Sequence, residues 1–160
     1  MKQSTALKIL KLGENVFLTG QAGAGKTFLL QKYIDLLKER GANFAVLAPT
    51  GIAASHLKGR TIHSFFSLGI KDAINEIELD SLLQKKSLVQ KLTRLEVLII
   101  DEISMVAPAL LESMDKILRG ARFTNQPFGG VQVILAGDFF QLPPVGSARD
   151  QKRFAWQSPV

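Results

Sequence analysis

The stretch from Gly20 to Thr27, with the sequence GQAGAGKT, constrains the fold of this chain more than any other segment. Its spacing fits the pattern G-x-x-x-x-G-K-[ST], in which glycines let successive backbone N–H groups turn inward on a phosphate and the lysine adds positive charge. The stretch follows an apolar run at residues 15–19 and opens a segment with helical periodicity, so the positive end of a helix would face the same phosphate. We predict a phosphate-binding loop in which Lys26 neutralises phosphate charge and the Thr27 hydroxyl binds Mg²⁺. The predicted nucleotide contacts are Gly20, Gln21, Ala22, Gly23, Ala24, Gly25, Lys26 and Thr27.

Apolar runs and helical patterns alternate along the chain. Runs that are nearly continuous in apolar character, as expected for strands buried on both faces, lie at residues 15–18, 44–48, 97–100 and 131–136. Apolar residues at helical spacing lie at residues 3–12, 26–40 and 108–119. Strands that alternate with helices form a mainly parallel sheet, which binds ligands at the carboxyl ends of its strands. Because the phosphate loop falls at such an end, we predict an α/β fold with a mainly parallel sheet and helices on both of its faces.

The length and composition fit one globular domain. The chain has 160 residues, is 46% hydrophobic and contains no low-complexity segment, which is enough for a sizeable buried core. Its apolar runs are too short to span a bilayer, and its start lacks the apolar stretch of a secretory signal. We expect a monomeric intracellular protein without a membrane partner, located in the cytoplasm of a bacterium or in the nucleus or mitochondrion of a eukaryote.

Cysteine and histidine are too scarce for most metal sites. The chain has no cysteine and two histidines, His56 and His63, which argues against a disulfide framework, a thiolate zinc site and a His-built metal centre. The implied metal is Mg²⁺ held together with a nucleotide. The formal net charge of +6 indicates a polyanionic partner only if the basic residues lie beside motifs that face nucleic acid.

The segment 70–94 interrupts the alternation, because it is polar and contains no strand-like run. We interpret it as a mostly helical insertion. The apolar residues that would pack it against the domain are Leu79, Leu82, Leu83, Leu88, Val89 and Leu92. Its basic residues, Lys85, Lys86, Lys91 and Arg94, favour a solvated helical face over a contact with nucleic acid.

Polar residues follow two of the predicted strands. Asp101 and Glu102 end the run 97–100, where Asp101 can help to hold Mg²⁺ and Glu102 can polarise an attacking water. That pairing predicts hydrolysis of the nucleotide, whereas the alternative is a surface acidic pair. Gln141 follows the run 131–136, and its amide could sense the γ-phosphate or the water.

Two further stretches, PTGIAASH at 49–56 and GRTIHSFF at 59–66, are predicted as loops near strand ends. Hydroxyl and N–H groups bind phosphates, and aromatic rings stack on bases, so together these stretches suit an unpaired nucleic-acid strand. The alternative assigns Phe65 and Phe66 to the core and His63 to a structural hydrogen bond.

With these motifs assembled, the sequence resembles the Pif-type and RecD-like DNA helicases, the branch of superfamily 1 that moves 5′ to 3′ on single-stranded DNA. The resemblance covers essentially the whole chain. It rests, in order, on NVFLTGQAGAGKT, APTGIAA, GRTIHSFF, VLIIDEISM, PFGGVQVILAGDFFQLPPV and FAWQSP.

The resemblance implies a RecA-like domain that binds ATP and Mg²⁺. Gln3 matches the glutamine with which such helicases hold the adenine, Asp101 and Glu102 would serve Mg²⁺ and water activation, and Gln141 would couple the γ-phosphate to DNA. The residues that match the family's single-strand track are Pro49, Thr50, Gly51, Thr61, His63, Ser64 and Phe65. The family also implies roles in DNA repair, DNA recombination and telomere maintenance.

Helicases of this kind need a second RecA-like domain, which supplies arginines to the γ-phosphate and the other half of the DNA track. We therefore expect residues 1–160 to be the N-terminal RecA-like domain of a longer protein, lacking its last strand and unable to unwind DNA by itself. One alternative is a stand-alone nucleotide-dependent module that binds single-stranded DNA or regulates a partner. Another is a small-molecule kinase, although the chain shows neither an acceptor pocket nor an arginine-rich lid.

Overall fold

One parallel sheet forms the centre of the part of the chain that this computed structural model describes, residues 2–138. Its strands are β1 (Val16–Thr19), β2 (Phe44–Ala48), β3 (Arg60–Thr61), β4 (Val97–Ile100) and β5 (Gln132–Gly137). They are arranged in the order β1-β5-β4-β2-β3, and every neighbouring pair is parallel. The parallel sheet predicted from the alternation of apolar runs and helical patterns is therefore confirmed.

The connections between the strands are helical. The α-helices within residues 2–138 are α1 (Gln3–Leu10), α2 (Lys26–Glu39), α3 (Gly51–His56), α4 (Ile62–Phe66), α5 (Glu76–Leu83), α6 (Lys86–Arg94) and α7 (Pro108–Arg122). None of the helices within these residues has the length and apolarity needed to cross a bilayer.

The central strand β4 divides the core into two halves. Successive side chains of a strand point to opposite faces of the sheet. Leu98 and Ile100 pack in one cluster with residues of α6 and α7, whereas Val97 and Ile99 pack in a second cluster with residues of α1 and α2. All four side chains are buried, so the sheet lies between two layers of helices, as predicted.

The edge strand β1 departs from the prediction that it is buried on both faces. Val16 and Leu18 pack against the core, but Phe17 is 45% exposed and Thr19 is exposed as well. Among the described strands β1 pairs with β5 alone, which places it at one edge of the sheet. An apolar run does not distinguish an edge strand from a central one, so the prediction for β1 was wrong on this face.

The segment 70–94 contains α5 and α6. Asn75 and Glu78 form a capping box at the start of α5, in which each side chain accepts a hydrogen bond from the other residue's backbone N–H. The end of the segment is held by Arg122 of α7, whose guanidinium donates to three backbone oxygens between residues 92 and 95. Leu82, Leu88 and Leu92 join the core beside α7, and the partly buried Leu79, Leu83 and Val89 pack against it, as predicted.

Candidate nucleotide and single-strand site

The phosphate loop connects β1 to α2 through backbone conformations that favour glycine. Gly25, immediately before α2, has φ 83° and ψ 20°, and Gly23 has φ 77°. A Cβ atom built on Gly25 would overlap the side-chain amide of Gln3. Any side chain at Gly25 would therefore be strained by its backbone and would displace the Gln3 amide.

Lys26 begins α2 and turns back over the loop. Its Nζ donates to the backbone oxygens of Gly20, at 2.6 Å, and Gln21, at 3.1 Å. An ammonium has three donors, so one remains for a ligand when these two bonds persist. Lys26 also lines an open cleft of about 410 Å³, together with Ala22, Gly23, Gly25, Thr27, Phe28, Asp101 and Glu102. The loop and the two carboxylates, predicted separately from the sequence, thus face one space.

Gln3 lies at the opposite side of the loop. It lines a second cleft of about 360 Å³ with Phe17, Ala24, Gly25, Lys26 and neighbouring residues. Gln3 is therefore beside the phosphate loop, where a residue that contacts the base of a bound nucleotide would be. The half-exposed ring of Phe17 in the same cleft was missed in the sequence, because the run 15–18 was interpreted as a strand buried on both faces.

The two carboxylates follow β4 directly. Asp101 is buried, and its Oδ1 accepts a 3.0 Å hydrogen bond from the N–H of Glu102. Glu102 has φ 54° and ψ 44°, a left-handed conformation that is uncommon for residues other than glycine. Such conformations cost energy and persist only where the surrounding structure holds them. They are concentrated at functional sites.

Burial raises the pKa of both carboxyl groups. For Asp101 the rise is opposed by the Glu102 N–H and by the charges of Lys26 and His56. For Glu102 the negative charge of Asp101 adds to the effect of burial, while Lys26 and His56 again lower the pKa. A carboxylate with a raised pKa accepts a proton more readily than an exposed one, which suits Glu102 to the role of general base.

The residues present fit a Mg²⁺ ion bound with nucleotide. Magnesium binds oxygen ligands and is usually held by one or two carboxylates together with phosphate oxygens. The Thr27 hydroxyl and the Asp101 carboxylate line the same cleft. Asp101 is also buried, so a cation beside it would offset the cost of its charge.

His56, which is not among the site residues predicted from the sequence, lies near the carboxylates. It lines a cavity of about 380 Å³ with Thr50, Glu102, Ser104 and three apolar residues. The Ser104 hydroxyl is buried and has no hydrogen-bond partner among residues 2–138. Glu102 therefore borders both this cavity and the phosphate cleft. The sequence signal that could have indicated His56 is its position at the end of PTGIAASH.

The stretches predicted as loops near strand ends are short helices instead. Thr50 follows β2 and caps α3, because its hydroxyl oxygen accepts from the N–H of Ala53 at 3.2 Å. Thr61 caps α4 in the same way, accepting from the N–H of Ser64 at 3.3 Å. Threonine is a favoured N-cap, and this helix-start signal was overlooked in both stretches. Pro49 and Gly51 flank Thr50 at the carboxyl end of β2.

The polar residues of α4 make local contacts. His63 Nε2 lies 3.0 Å from Asp72 Oδ1, and the exposed Ser64 hydroxyl accepts a 3.2 Å hydrogen bond from the Arg60 guanidinium. Arg60 is exposed and lies at the start of this stretch, so it is a further candidate beyond the residues predicted from the sequence. Arg60 and Ser64 are thus exposed polar residues of this region.

Phe65 does not present its ring to solvent, contrary to the prediction that it stacks on bases. The side chain is 6% exposed and belongs to the core cluster, where its ring meets that of Phe66 edge to face at 5.2 Å. Phe65 lies on the face of the short helix α4 that packs against the sheet. The alternative that assigns Phe65 and Phe66 to the core is the one that the geometry supports.

Gln141 lies outside the described residues, as does the motif FAWQSP. The strand that precedes Gln141 is described: β5 lies between β1 and β4. The chain therefore leaves β5 between the phosphate loop and the carboxylates, and the role of Gln141 stays a prediction.

Comparison with known proteins identifies the family. A family model described as PIF1-like helicase matches residues 2–158. The ATP-dependent DNA helicase Pif1 of Psychrobacter is 52% identical over 160 residues, which cover 99% of this chain and 24% of that protein. The human ATP-dependent DNA helicase PIF1 is 38% identical over 157 residues, which cover 98% of this chain and 24% of that protein. The chain thus spans about a quarter of the length of these relatives.

Solved structures agree in fold. The Pif1 helicase of Candida albicans superimposes with a TM-score of 0.85 at 39% identity, over 98% of this chain and 36% of that chain. A Bacteroides Pif1 helicase in complex with ADP-AlF3 and single-stranded DNA gives a TM-score of 0.81 at 37% identity, over 100% of this chain and 39% of that chain. The described sheet and helices therefore form a RecA-like helicase domain, and the chain belongs to the PIF1-like helicase family.

Proposed function

We propose that this chain is the ATP-binding and ATP-hydrolysing part of a helicase motor that moves on single-stranded DNA. The observation that carries the proposal is the meeting of three features at one edge of the sheet. The phosphate loop follows β1, Asp101 and Glu102 follow β4, and α3 and α4 follow β2 and β3. Because all these strands are parallel, their carboxyl ends lie at the same edge.

In the proposed reaction, the protein positions the phosphates and one water. Lys26 and the N–H groups of the loop neutralise and orient the phosphates. Thr27 and Asp101 hold Mg²⁺, which supplies positive charge to the phosphate oxygens when it is bound. Glu102 accepts a proton from the attacking water. Gln3 contacts the adenine from the neighbouring cleft.

The single strand binds across α3 and α4. The hydroxyls of Thr50, Thr61 and Ser64 and the guanidinium of Arg60 supply donors for phosphate oxygens. Support comes from the Bacteroides relative, which was crystallised with single-stranded DNA.

The wider assignment follows from the family. We propose that residues 1–160 form the N-terminal RecA-like domain, with 70–94 as a helical insertion, and that a second RecA-like domain of the parent protein completes the ATP site. The activity is intracellular, the protein acts as a monomer, and its cellular roles lie in DNA repair, recombination and telomere maintenance.

The test is ATP hydrolysis by the full-length protein that contains this chain, measured with and without single-stranded DNA. Turnover should rise when the DNA is added and should be lost in Lys26→Ala, because the ammonium neutralises phosphate charge. Lys32→Ala, an exposed lysine of the same helix, is the matched control. Equal turnover with and without DNA would contradict a motor. Nucleotide-dependent binding of DNA without turnover would favour the stand-alone binding module.

A further inference from the structure

Helix α4 is held in place by the segment 70–94 as well as by the sheet. It has five residues, Ile62–Phe66, and a helix this short leaves most of its backbone carbonyl groups without intrahelical partners. Both ends of the segment reach it. Asp72 contacts His63, and the Lys91 ammonium donates to the backbone oxygen of Phe65.

Lys91 stabilises the carboxyl-terminal end of α4. Its ammonium donates to the Phe65 oxygen and lies 3.9 Å from the centre of the Phe65 ring. A cation at this end meets the negative pole of the helix, and a cation over an aromatic face is attracted by the ring. Burial, and then the charge of Arg60, lowers the pKa of Lys91. Lys91 thus differs from Lys85, Lys86 and Arg94, which are exposed as predicted for a solvated face.

Asp72 holds α4 through His63. Its Oδ1 lies 3.0 Å from His63 Nε2, and its own backbone oxygen accepts a 2.8 Å hydrogen bond from the Ser113 hydroxyl of α7. The Ser113 oxygen also lies 2.8 Å from the backbone oxygen of Ala109, so its single O–H is shared between the two carbonyl groups. The carboxylate that meets His63 is therefore attached to the core rather than to a free loop.

We propose that Lys91 and Asp72 are positioning residues for single-strand binding, which fix α4 and its polar groups without touching the strand. This inference rests on the proposed function of α3 and α4. The alternative explanation for Lys91 is a direct contact between its ammonium and a DNA phosphate. For Asp72 the rival is simple electrostatics, by which removal of a negative charge strengthens the binding of a polyanion.

The experiment measures fluorescence anisotropy of a labelled single-stranded oligonucleotide with the full-length protein at several salt concentrations. Lys91→Met should raise the Kd about three- to tenfold, as expected when a hydrogen bond and its geometry are lost. Lys91→Arg should restore most of the affinity, because a guanidinium can donate to the same oxygen and stack on the ring. Lys86→Met, at the exposed start of α6, is the matched control and should bind like the wild type.

The salt dependence separates positioning from direct contact. Each phosphate contact to a single strand contributes about 0.7 to the slope of log K against log salt. Lys91→Met should keep the wild-type slope, whereas a slope that is smaller by about 0.7 would show a phosphate contact and overturn the proposal for Lys91.

The two explanations predict opposite effects of Asp72→Ala on the affinity for single-stranded DNA. This test also does not depend on whether the Lys91 variant folds. Positioning predicts weaker binding, about three- to tenfold. Binding that is unchanged or tighter would overturn the proposal for Asp72. In each variant the rise in melting temperature on addition of ADP should match the wild type, since the phosphate loop is untouched. If the wild-type protein ignores single-stranded DNA, the proposed function fails, and this inference fails with it.

Discussion

The hydroxyl of Tyr33 donates a hydrogen bond of 2.9 Å to the side-chain oxygen of Gln132, in the interior between α2 and β5. The Gln132 amide nitrogen in turn donates to the backbone oxygens of Leu10 and Glu14, at 2.9 Å each. One buried side chain therefore joins the end of α1, the middle of α2 and the start of β5. Since α2 carries the phosphate loop at its N-terminus, this network sets the position of the loop relative to the sheet.

Tyr33→Phe should lower the free energy of unfolding by about 1–2 kcal/mol, because it leaves the buried oxygen of Gln132 without its donor while it preserves the ring. Urea denaturation of this chain measures the change. Phe123→Leu, which alters a side chain that is 94% exposed, is a control for a substitution outside the core and should change little. A Tyr33→Phe protein as stable as the wild type would show that a water or another donor replaces the hydroxyl.

The same residue predicts a loss of stability at alkaline pH. Burial raises the pKa of Tyr33 above its ordinary value of 10.0, although the positive charge of Arg40 opposes part of the rise. The neutral phenol therefore contributes stability that is complete below pH 10.0 and is lost as the pH rises through the pKa of the folded protein. Above pH 10.0 the wild type should lose unfolding free energy that Tyr33→Phe keeps. Tyr33 is the sole tyrosine of the chain, so an ultraviolet titration of tyrosinate measures the pKa of this residue alone. A titration midpoint at or below pH 10.0 would contradict the prediction.

Glu102→Gln should bind nucleotide normally and hydrolyse it about 10²- to 10⁴-fold more slowly, because the amide keeps the shape of the side chain and loses its basicity. Steady-state ATP turnover of the full-length protein with single-stranded DNA measures the rate, and a fluorescent nucleotide measures binding. Glu76→Gln, at the exposed start of α5, serves as the control. Normal turnover in Glu102→Gln would assign water activation to another group.

Phe65→Ala should act on stability, since the side chain is buried. Removal of a buried phenylalanine costs about 3–5 kcal/mol, whereas loss of one base-stacking contact would weaken single-strand affinity by about 1–3 kcal/mol at unchanged stability. A thermal melt together with anisotropy distinguishes the two. Phe123→Ala removes an exposed ring and should leave the melt near that of the wild type. A stable Phe65→Ala protein with weak DNA binding would return Phe65 to the strand track.

Much of the fold could be predicted from local sequence signals. The spacing of GQAGAGKT specifies a strand, a turn rich in glycine and a helix, and the structure has β1, the loop and α2 in that order. The bounds of β2 and β4 were predicted to the residue, because each is a short apolar run between polar residues. Asp101 and Glu102 were placed beside the loop from the rule that the carboxyl ends of parallel strands share one edge.

The loop prediction for α3 and α4 failed at a local signal, the threonine N-caps. The other errors share a physical cause, since they depend on contacts between distant parts of the chain. Phe65 is buried and Phe17 is half exposed because of the face that each helix or strand turns to the core. A phenylalanine in the sequence is compatible with a buried or an exposed position. Lys91 appeared to belong to a solvated face because its partner, the Phe65 carbonyl, is a backbone group 26 positions away. His56 meets the carboxylates only because α3 follows the strand beside β4.

The pairing of β1 with β5 also has a consequence for biosynthesis. Val16 is paired with Ile134 and Thr19 with Gly137. The strand that precedes the phosphate loop therefore cannot pair until nearly all of the described chain has been translated. At about 5–20 residues per second, that interval lasts from several seconds to tens of seconds. Pairings between segments this far apart also form slowly, because a long loop must close first. Strand β1 thus leaves the ribosome well before β5, and its pairing with β5 is among the last steps in the assembly of the described sheet.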